Sequence, residues 1–455
     1  MRPLVLRTSL FVCGILCLAS PFAEAAEAAR LRVATFSCDV TPPVDGHPLI
    51  WLVKVKKVET PLLAKGIVLE DGDRRYVICA VDWCGLCNSS YELFRRKLAA
   101  GAGIDVAHVA VQTVHQHTAP YTDGDAQKLL DKTENPPPYV DFKFMEEVTD
   151  RLAESVKQSL DRLVPFDRVG TGQAKVDRVA STRRVPIGNG KVRVRWSGCT
   201  DPELQAAPEG YIDPMLKTIT LAKGDKPLVR IHYYATHPQS FYGDPRTCYD
   251  VPGFARERLQ KKEDVFQIYF NGCGGDVVMG KYNDRTPRAR DELTDRLFAG
   301  MEAAVAATRF APAGTICWRT ADLVLPLKSN IQASLAKDRA KIADVKLRAG
   351  ARVLAACRVA FAERIKRPIQ LTSLQIGKVY SLHLAGESMV HYQLYAQGVK
   401  PDDFVAVAAY GDLAPGYICT ENAFSEGGYE PGASRASSKS EPVVKAAIRK
   451  LLGTK

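Results

Sequence analysis

The sequence predicts an α/β protein: a single large domain of mixed β-sheets flanked by helices, with its site on loops at strand ends. Three observations carry this expectation. Apolar runs of strand length alternate with helical periodicities along the chain, two pairs of runs flank turn dipeptides, and four runs feed directly into polar loops. The composition agrees, since 455 residues with 46% apolar and 25% charged side chains describe a folded globular chain and exclude a disordered, collagenous or rod-like one.

The elements follow in chain order. Arg2 and Arg7 precede the apolar run from Leu10 to Ala19, and Ala23-Glu24-Ala25 follows, so residues 1–25 read as a signal peptide removed on export. Val12 and Leu16 stand before Cys13 and Cys17 where a lipoprotein site needs a small residue, so a free secreted or periplasmic protein is expected. No later run approaches ~20 uninterrupted apolar residues, so no transmembrane segment is expected after cleavage. The formal charge of +11 is dispersed, as in Arg95-Arg96 and Arg183-Arg184, and no basic run points to nucleic acid.

Residues 26–455 show no linker and no repeat, and read as one domain. Leu63 to Leu69 and Tyr76 to Val81 flank Asp71-Gly72, and Met215 to Ala222 and Leu228 to Tyr234 flank Gly224-Asp225, which predicts two β-hairpins. Met145, Val148, Leu152, Val156, Leu160 and Leu163 predict a helix over 141–163; Leu293, Leu297, Met301 and Val305 predict another over 287–308. The stretch 330–366, rich in Ala, Lys and Arg, is expected to be an inserted helical hairpin.

Ten of the twelve cysteines lie beyond the leader; export permits disulfides, and the pairing stays open. Cys84-Gly85-Leu86-Cys87 has the spacing of an exchange dithiol, but the chain is far longer than a thioredoxin domain, and a structural disulfide or buried thiols is the plainer reading. Gly275 to Tyr282 approaches a phosphate-loop pattern and fails at Tyr282, where a Ser or Thr must meet magnesium. No GxSxG elbow is present.

The chemistry concentrates in the four strand-to-loop segments, HVAVQTVHQHTAP at 108–120, VRIHYYATHP at 229–238, VYSLHLAGESMVHY at 379–392 and the run 404–430. They offer His115, His117, His237, Glu387, Tyr417 and Tyr429. His115 and His117 stand at i and i+2, which on an extended backbone aims both at one face. An isolated HxH pair, a lone loop histidine or a lone glutamate is most often solvated or simply hydrogen-bonded. Together, two imidazoles and a carboxylate with an open position form a catalytic zinc ligand set.

The motifs HxHTxP, ATHP, a glycine-rich loop ending in GDV, GE before an aromatic-containing helix, and GYxxTExAFxxGGYE resemble, in order and spacing, the catalytic domain of the neutral/alkaline non-lysosomal ceramidases. The resemblance spans residues 31 to 455. It implies that His115, His237, Glu387 and Tyr417 hold Zn2+, that His117 stands beside the reacting water, and that Tyr429 is an active-site tyrosine. Arg183 in STRRVP falls where that family has an Asn-Arg pair contacting the reacting group, with Thr182 in place of the Asn.

The implied function is that of an exported zinc-dependent hydrolase cleaving the amide bond of a small-molecule or lipid N-acyl substrate with metal-activated water. Two alternatives stand beside it: a zinc esterase or deacetylase acting on a polar acyl substrate, and a non-catalytic metal-bearing binding module. Val278 stands where the family carries a serine, the site loops are polar, and the chain stops where the family's C-terminal β-sandwich would begin. These departures lead us to expect short or polar acyl substrates in preference to long-chain ceramide.

Overall fold

The computed structural model describes residues 31–454, so the predicted leader at 1–25 lies outside the described residues. Three larger sheets follow one another along the described chain, beside five two-stranded ones. The first comprises β1 (Leu31–Asp39), β2 (Leu63–Asp71), β3 (Arg74–Val81), β4 (Val109–Thr113) and β5 (Val164–Pro165), in spatial order β4-β3-β2-β1-β5. The second comprises β6 (Arg168–Lys175), β7 (Met215–Lys223), β8 (Lys226–Tyr234), β9 (Phe266–Asn271) and β10 (Arg309–Pro312), ordered β9-β8-β7-β6-β10. The third is β11 (Ile316–Leu323), β12 (Ile369–Ile376), β13 (Val379–His383) and β14 (Phe404–Ala408), in sequence order. Both expected hairpins form, as β2–β3 and β7–β8.

Each sheet is antiparallel except for one pair at one edge: β3 with β4, β8 with β9, and β13 with β14 run parallel. These are the strands that carry the four motifs and the glycine-rich loop. Their ends are bonded across the sheets. Thr113 N–H donates to Tyr410 O at 2.9 Å, Ala409 N–H to Asn271 O at 3.0 Å, Asn271 Nδ2 to Val114 O at 3.2 Å, and Gln112 Nε2 to Leu384 O at 2.8 Å. The consequence is one focus beyond the strand ends, fed by all three sheets.

Helices cover the sheets. Following α1 (Ser89–Ala102), α2 (Phe142–Ser159) begins where Asp141 Oδ1 accepts from Lys143 and Phe144 N–H, buries Phe144, Met145, Val148, Leu152 and Val156, and passes into a 3-10 turn at Leu160–Arg162 that accounts for the remainder of the predicted 141–163 helix. After α3 (Asp250–Glu263), α4 (Pro287–Ala306) opens on a Thr286 cap with Pro at its first turn. The stretch 330–366 forms a hairpin of α5 (Ser329–Ala343) and α6 (Ala349–Arg364). Arg352 ties it down by donating to Thr133 Oγ1 and Asn135 O, both at 2.7 Å, and Arg364 does so by pairing with Asp412 and donating to Asn88 Oδ1 at 3.1 Å. Among the described residues no helix is long and apolar enough to cross a membrane.

The described cysteines are free thiols, and all but Cys317 are buried. Burial pushes the Cys84 and Cys87 thiols well above their usual value, the opposite of what an exchange dithiol needs, so the buried-thiol reading holds.

One buried ion pair joins the first sheet to α3. Arg256 forks onto Asp82, both nitrogens at 2.8 Å, with the two side chains 1% and 0% exposed. Removing one partner strands a buried charge, so Arg256→Ala is expected to cost about 3–5 kcal/mol of unfolding free energy. Urea denaturation checks this, and a loss within the range of an ordinary surface substitution would refute it.

Candidate metal centre

The His115 side chain is aimed by an unusual backbone. The chain leaves β4 and turns, His115 adopting φ 74°, a left-handed conformation that costs a non-glycine residue about 1 kcal/mol or more. This corrects the extended-backbone argument for the HxH pair: His115 and His117 reach the same place through a turn, their ring centroids 4.8 Å apart at 82°. The turn is held by His115 N–H donating to Trp83 O at 2.9 Å and by the Tyr410 ring stacked on the imidazole at 4.4 Å.

His115 Nδ1 lies 2.6 Å from Cys84 O, and His237 Nδ1 lies 2.6 Å from Gly274 O. A carbonyl only accepts, so each Nδ1 carries the proton and each Nε2 presents its lone pair. Both Nε2 atoms face Glu387 Oε2, at 3.3 Å from His115 and 3.0 Å from His237. Glu387 and Tyr417 sit opposite each other on two short parallel strands, Glu387–Ser388 and Tyr417–Ile418. This register puts the Tyr417 hydroxyl 3.2 Å from His237 Nε2. The glycine-rich loop explains how the pieces fit so closely. A Cβ on Gly275 would stand 2.4 Å from Glu387 O, so the loop packs there only as glycine.

The electrostatics follow from burial. It lowers His237 to about 4, with Arg183 acting the same way. Burial alone would raise the Glu387 carboxyl, but His115 and His237 hold it well below the carboxylate range. Burial lifts the Tyr417 phenol well above its usual value against the opposing effect of Arg183. The result is a neutral His237 imidazole, a carboxylate and a phenol oxygen around one point, with the His115 ring beside them. His115 Nε2 is buried without a hydrogen-bond partner. The Tyr417 hydroxyl has one hydrogen to give, within reach of His237 Nε2, which leaves the remaining lone pairs facing one another, and a cation removes that conflict. His115, His237 and Glu387 therefore fit a metal ion.

A second grouping, Cys84 with His115 and His117, is also close enough to bind an ion. It fits worse. Its thiol is held protonated by burial, and the His115 nitrogen nearest the sulfur, Nδ1 at 3.8 Å, is committed to Cys84 O.

The remaining expected residues surround the cluster. His117 Nδ1 lies 3.1 Å from His115 O, leaving Nε2 as the free nitrogen. Burial first, then His115 and His237, push His117 well below its usual value, so it is a neutral base. Arg183 Nη1 donates to Tyr417 OH and to Gly275 O, both at 3.0 Å, and is 3.5 Å from Glu430. Tyr429 is 40% exposed, its ring edge-on to Tyr417 at 5.5 Å.

The cluster opens into a cleft of about 1040 Å3 whose lining includes Glu387, Tyr417 and Tyr429. Ile50, Trp51, Leu52, Val353 and Leu354 form apolar parts of its wall. Trp51 is 55% exposed and its ring centroid stands 5.5 Å from that of His117. Polar loops thus surround the reacting centre, while an apolar wall from remote segments leads to it. This wall sets an apolar surface beside the polar loops on which the expectation of short or polar substrates rested. Tyr410, Trp51 and the two carbonyls that fix the imidazoles escaped the sequence reading. Only Tyr410, immediately after the β14 run, had a signal, its position at a strand end.

A three-sheet α/β scaffold with a His–His–carboxylate–phenol cluster at the mouth of a cleft defines a candidate metal centre. The fold is that of the neutral ceramidases. A neutral ceramidase from Pseudomonas aeruginosa superposes with a TM-score of 0.70 over 93% of this chain and 74% of its own, at 14% sequence identity. A ceramidase complexed with C2 superposes with the same score and identity over 93% of this chain and 75% of its own. No protein-family model and no curated protein matches the chain.

Proposed function

We propose that this protein is an exported zinc-dependent hydrolase that cleaves the amide bond of an N-acyl substrate carrying an apolar acyl chain. The observation that carries the reading is the convergence of acceptor atoms from His115, His237, Glu387 and Tyr417, with both imidazoles fixed by backbone carbonyls, at the end of an apolar-walled cleft. The ceramidase fold supports it. The leader pattern at 1–25 supports export, and residues 26–455 form the catalytic domain, with 330–366 as an insertion that contributes Val353 and Leu354 to the cleft.

A zinc ion on these four residues supplies an electrophile for the scissile carbonyl and a water acidic enough to ionise near neutral pH. His117, neutral and with Nε2 free, takes the proton from the attacking water and returns it to the departing amine nitrogen. Tyr429 donates its hydroxyl to the carbonyl oxygen as negative charge develops there. Arg183 holds the Tyr417 oxygen in place through Nη1 and adds a fixed positive charge beside the same oxyanion. The apolar wall binds the acyl chain, at about 0.8 kcal/mol per methylene removed from water.

Purified protein is expected to retain about one metal ion per chain and to release fatty acid from N-acyl amides, with activity lost on chelation and restored by zinc. Matched amide and ester series of increasing acyl length identify the bond and the chain preference. Turnover of esters alone favours the esterase reading, and metal retention without any turnover leaves the binding module.

A further inference from the structure

The cleft contains a cation without a counter-charge. Arg435 lines it and is 8% exposed. Its backbone N–H donates to Pro415 O at 2.9 Å and its Nη1 to Ala414 O at 2.6 Å, which fixes the side chain against the segment leading into Tyr417. Among the described residues no carboxylate stands within ion-pair distance of its guanidinium. Asp123 acts on it from further away, but that carboxylate is engaged by Asn88 Nδ2 at 2.7 Å and by the N–H groups of Asp125 and Ala126 at 3.1 Å.

Helix α5 reinforces the imbalance. Lys328, just before it, and Lys337 and Lys341 within it line the same cleft. Apart from Glu387, the lining holds one acidic residue, Asp338, which Arg358 at 2.5 and 2.7 Å and Lys341 at 3.5 Å already share, so Lys337 is the helix lysine that stands clear of it. Of the Arg435 side-chain nitrogens only Nη1 is bonded among the described residues, which leaves the rest of the planar fork to meet an oxyanion in two parallel hydrogen bonds.

We propose that Arg435, supported by the lysines of α5, binds an anionic group, a carboxylate or a phosphate, carried by the molecule that occupies the cleft. This rests on the hydrolase reading for its functional meaning. Under that reading the substrate is an N-acyl compound bearing an anion, such as an N-acylated amino acid. The binding step is independent of turnover.

The test is calorimetric titration of the metal-loaded protein with decanoate, decyl phosphate and decanol, which share one chain and differ in headgroup. One of the anions is expected to bind about 30-fold more tightly than decanol, the range of a charge-assisted contact, and which one it is identifies the group. Arg435→Gln should reduce the preference to about threefold while leaving decanol affinity unchanged, and Arg435→Lys should restore part of it. Equal binding of anions and decanol overturns the proposal. So does a preference that survives in Arg435→Gln, because the anion would then sit on the metal. Should Arg435→Gln not fold, Lys337→Gln at an exposed helix position carries the test, together with added salt. Both must weaken anion binding selectively, and no change overturns the proposal. If amide cleavage is absent while the preference is intact, the hydrolase reading fails and the anion site stands.

Discussion

Glu387→Gln is expected to empty the metal centre and to lower turnover by at least about 10³-fold, equivalent to roughly 4 kcal/mol of barrier. The substitution keeps the volume of a buried side chain between two short strands, so the packing is retained. What it removes is the single negative charge that both Nε2 atoms face. Two imidazoles and a phenol then face a divalent cation with no carboxylate among them. Metal analysis after dialysis, beside circular dichroism to confirm the fold, gives the answer. A Glu387→Gln protein that keeps its metal and its activity would place the chemistry elsewhere.

His117→Ala should separate catalysis from metal binding. His117 is the histidine whose nitrogens avoid the Glu387 cluster: Nδ1 is committed to His115 O, and the ring lies beside Trp51 at the cleft wall. Its loss is expected to lower kcat by about 10²- to 10³-fold, the scale of a general acid–base residue, with metal content unchanged and KM moved little. Metal lost in parallel with activity would make His117 a ligand and favour its grouping with Cys84.

Much of this arrangement was legible in the sequence because strand ends are local features. Apolar runs stopping abruptly at His-, Gly- or Glu-containing loops located His115, His237, Glu387 and Tyr417 before their spatial relation was known. The hairpins and the helices followed from turn dipeptides and 3.6-residue spacing. Three things were not legible. The left-handed turn at His115 depends on contacts with Trp83 and Tyr410, which lie on other strands' loops. The apolar wall joins Ile50–Leu52 to Val353 and Leu354, segments that only the tertiary fold brings together. Arg435 reads as one more basic residue, and its isolation from carboxylates is a property of the packed interior.

The parallel edge pair repeated in each sheet has a thermodynamic consequence. His115 lies on the loop that follows an edge strand of the first sheet, His237 on the loop after a strand of the second, and Glu387 and Tyr417 on a small two-stranded sheet beyond the strands of the third. An ion held by all of them is a non-covalent cross-link among three units that share no continuous ladder, and any excursion that separates two of them must release it. The free-metal concentration thereby becomes a determinant of the cohesion of the whole domain, adding about 2.7 kcal/mol when it exceeds the dissociation constant a hundredfold. Under the proposed reading of an exported metalloprotein, folding and metal acquisition would be coupled outside the cytoplasm.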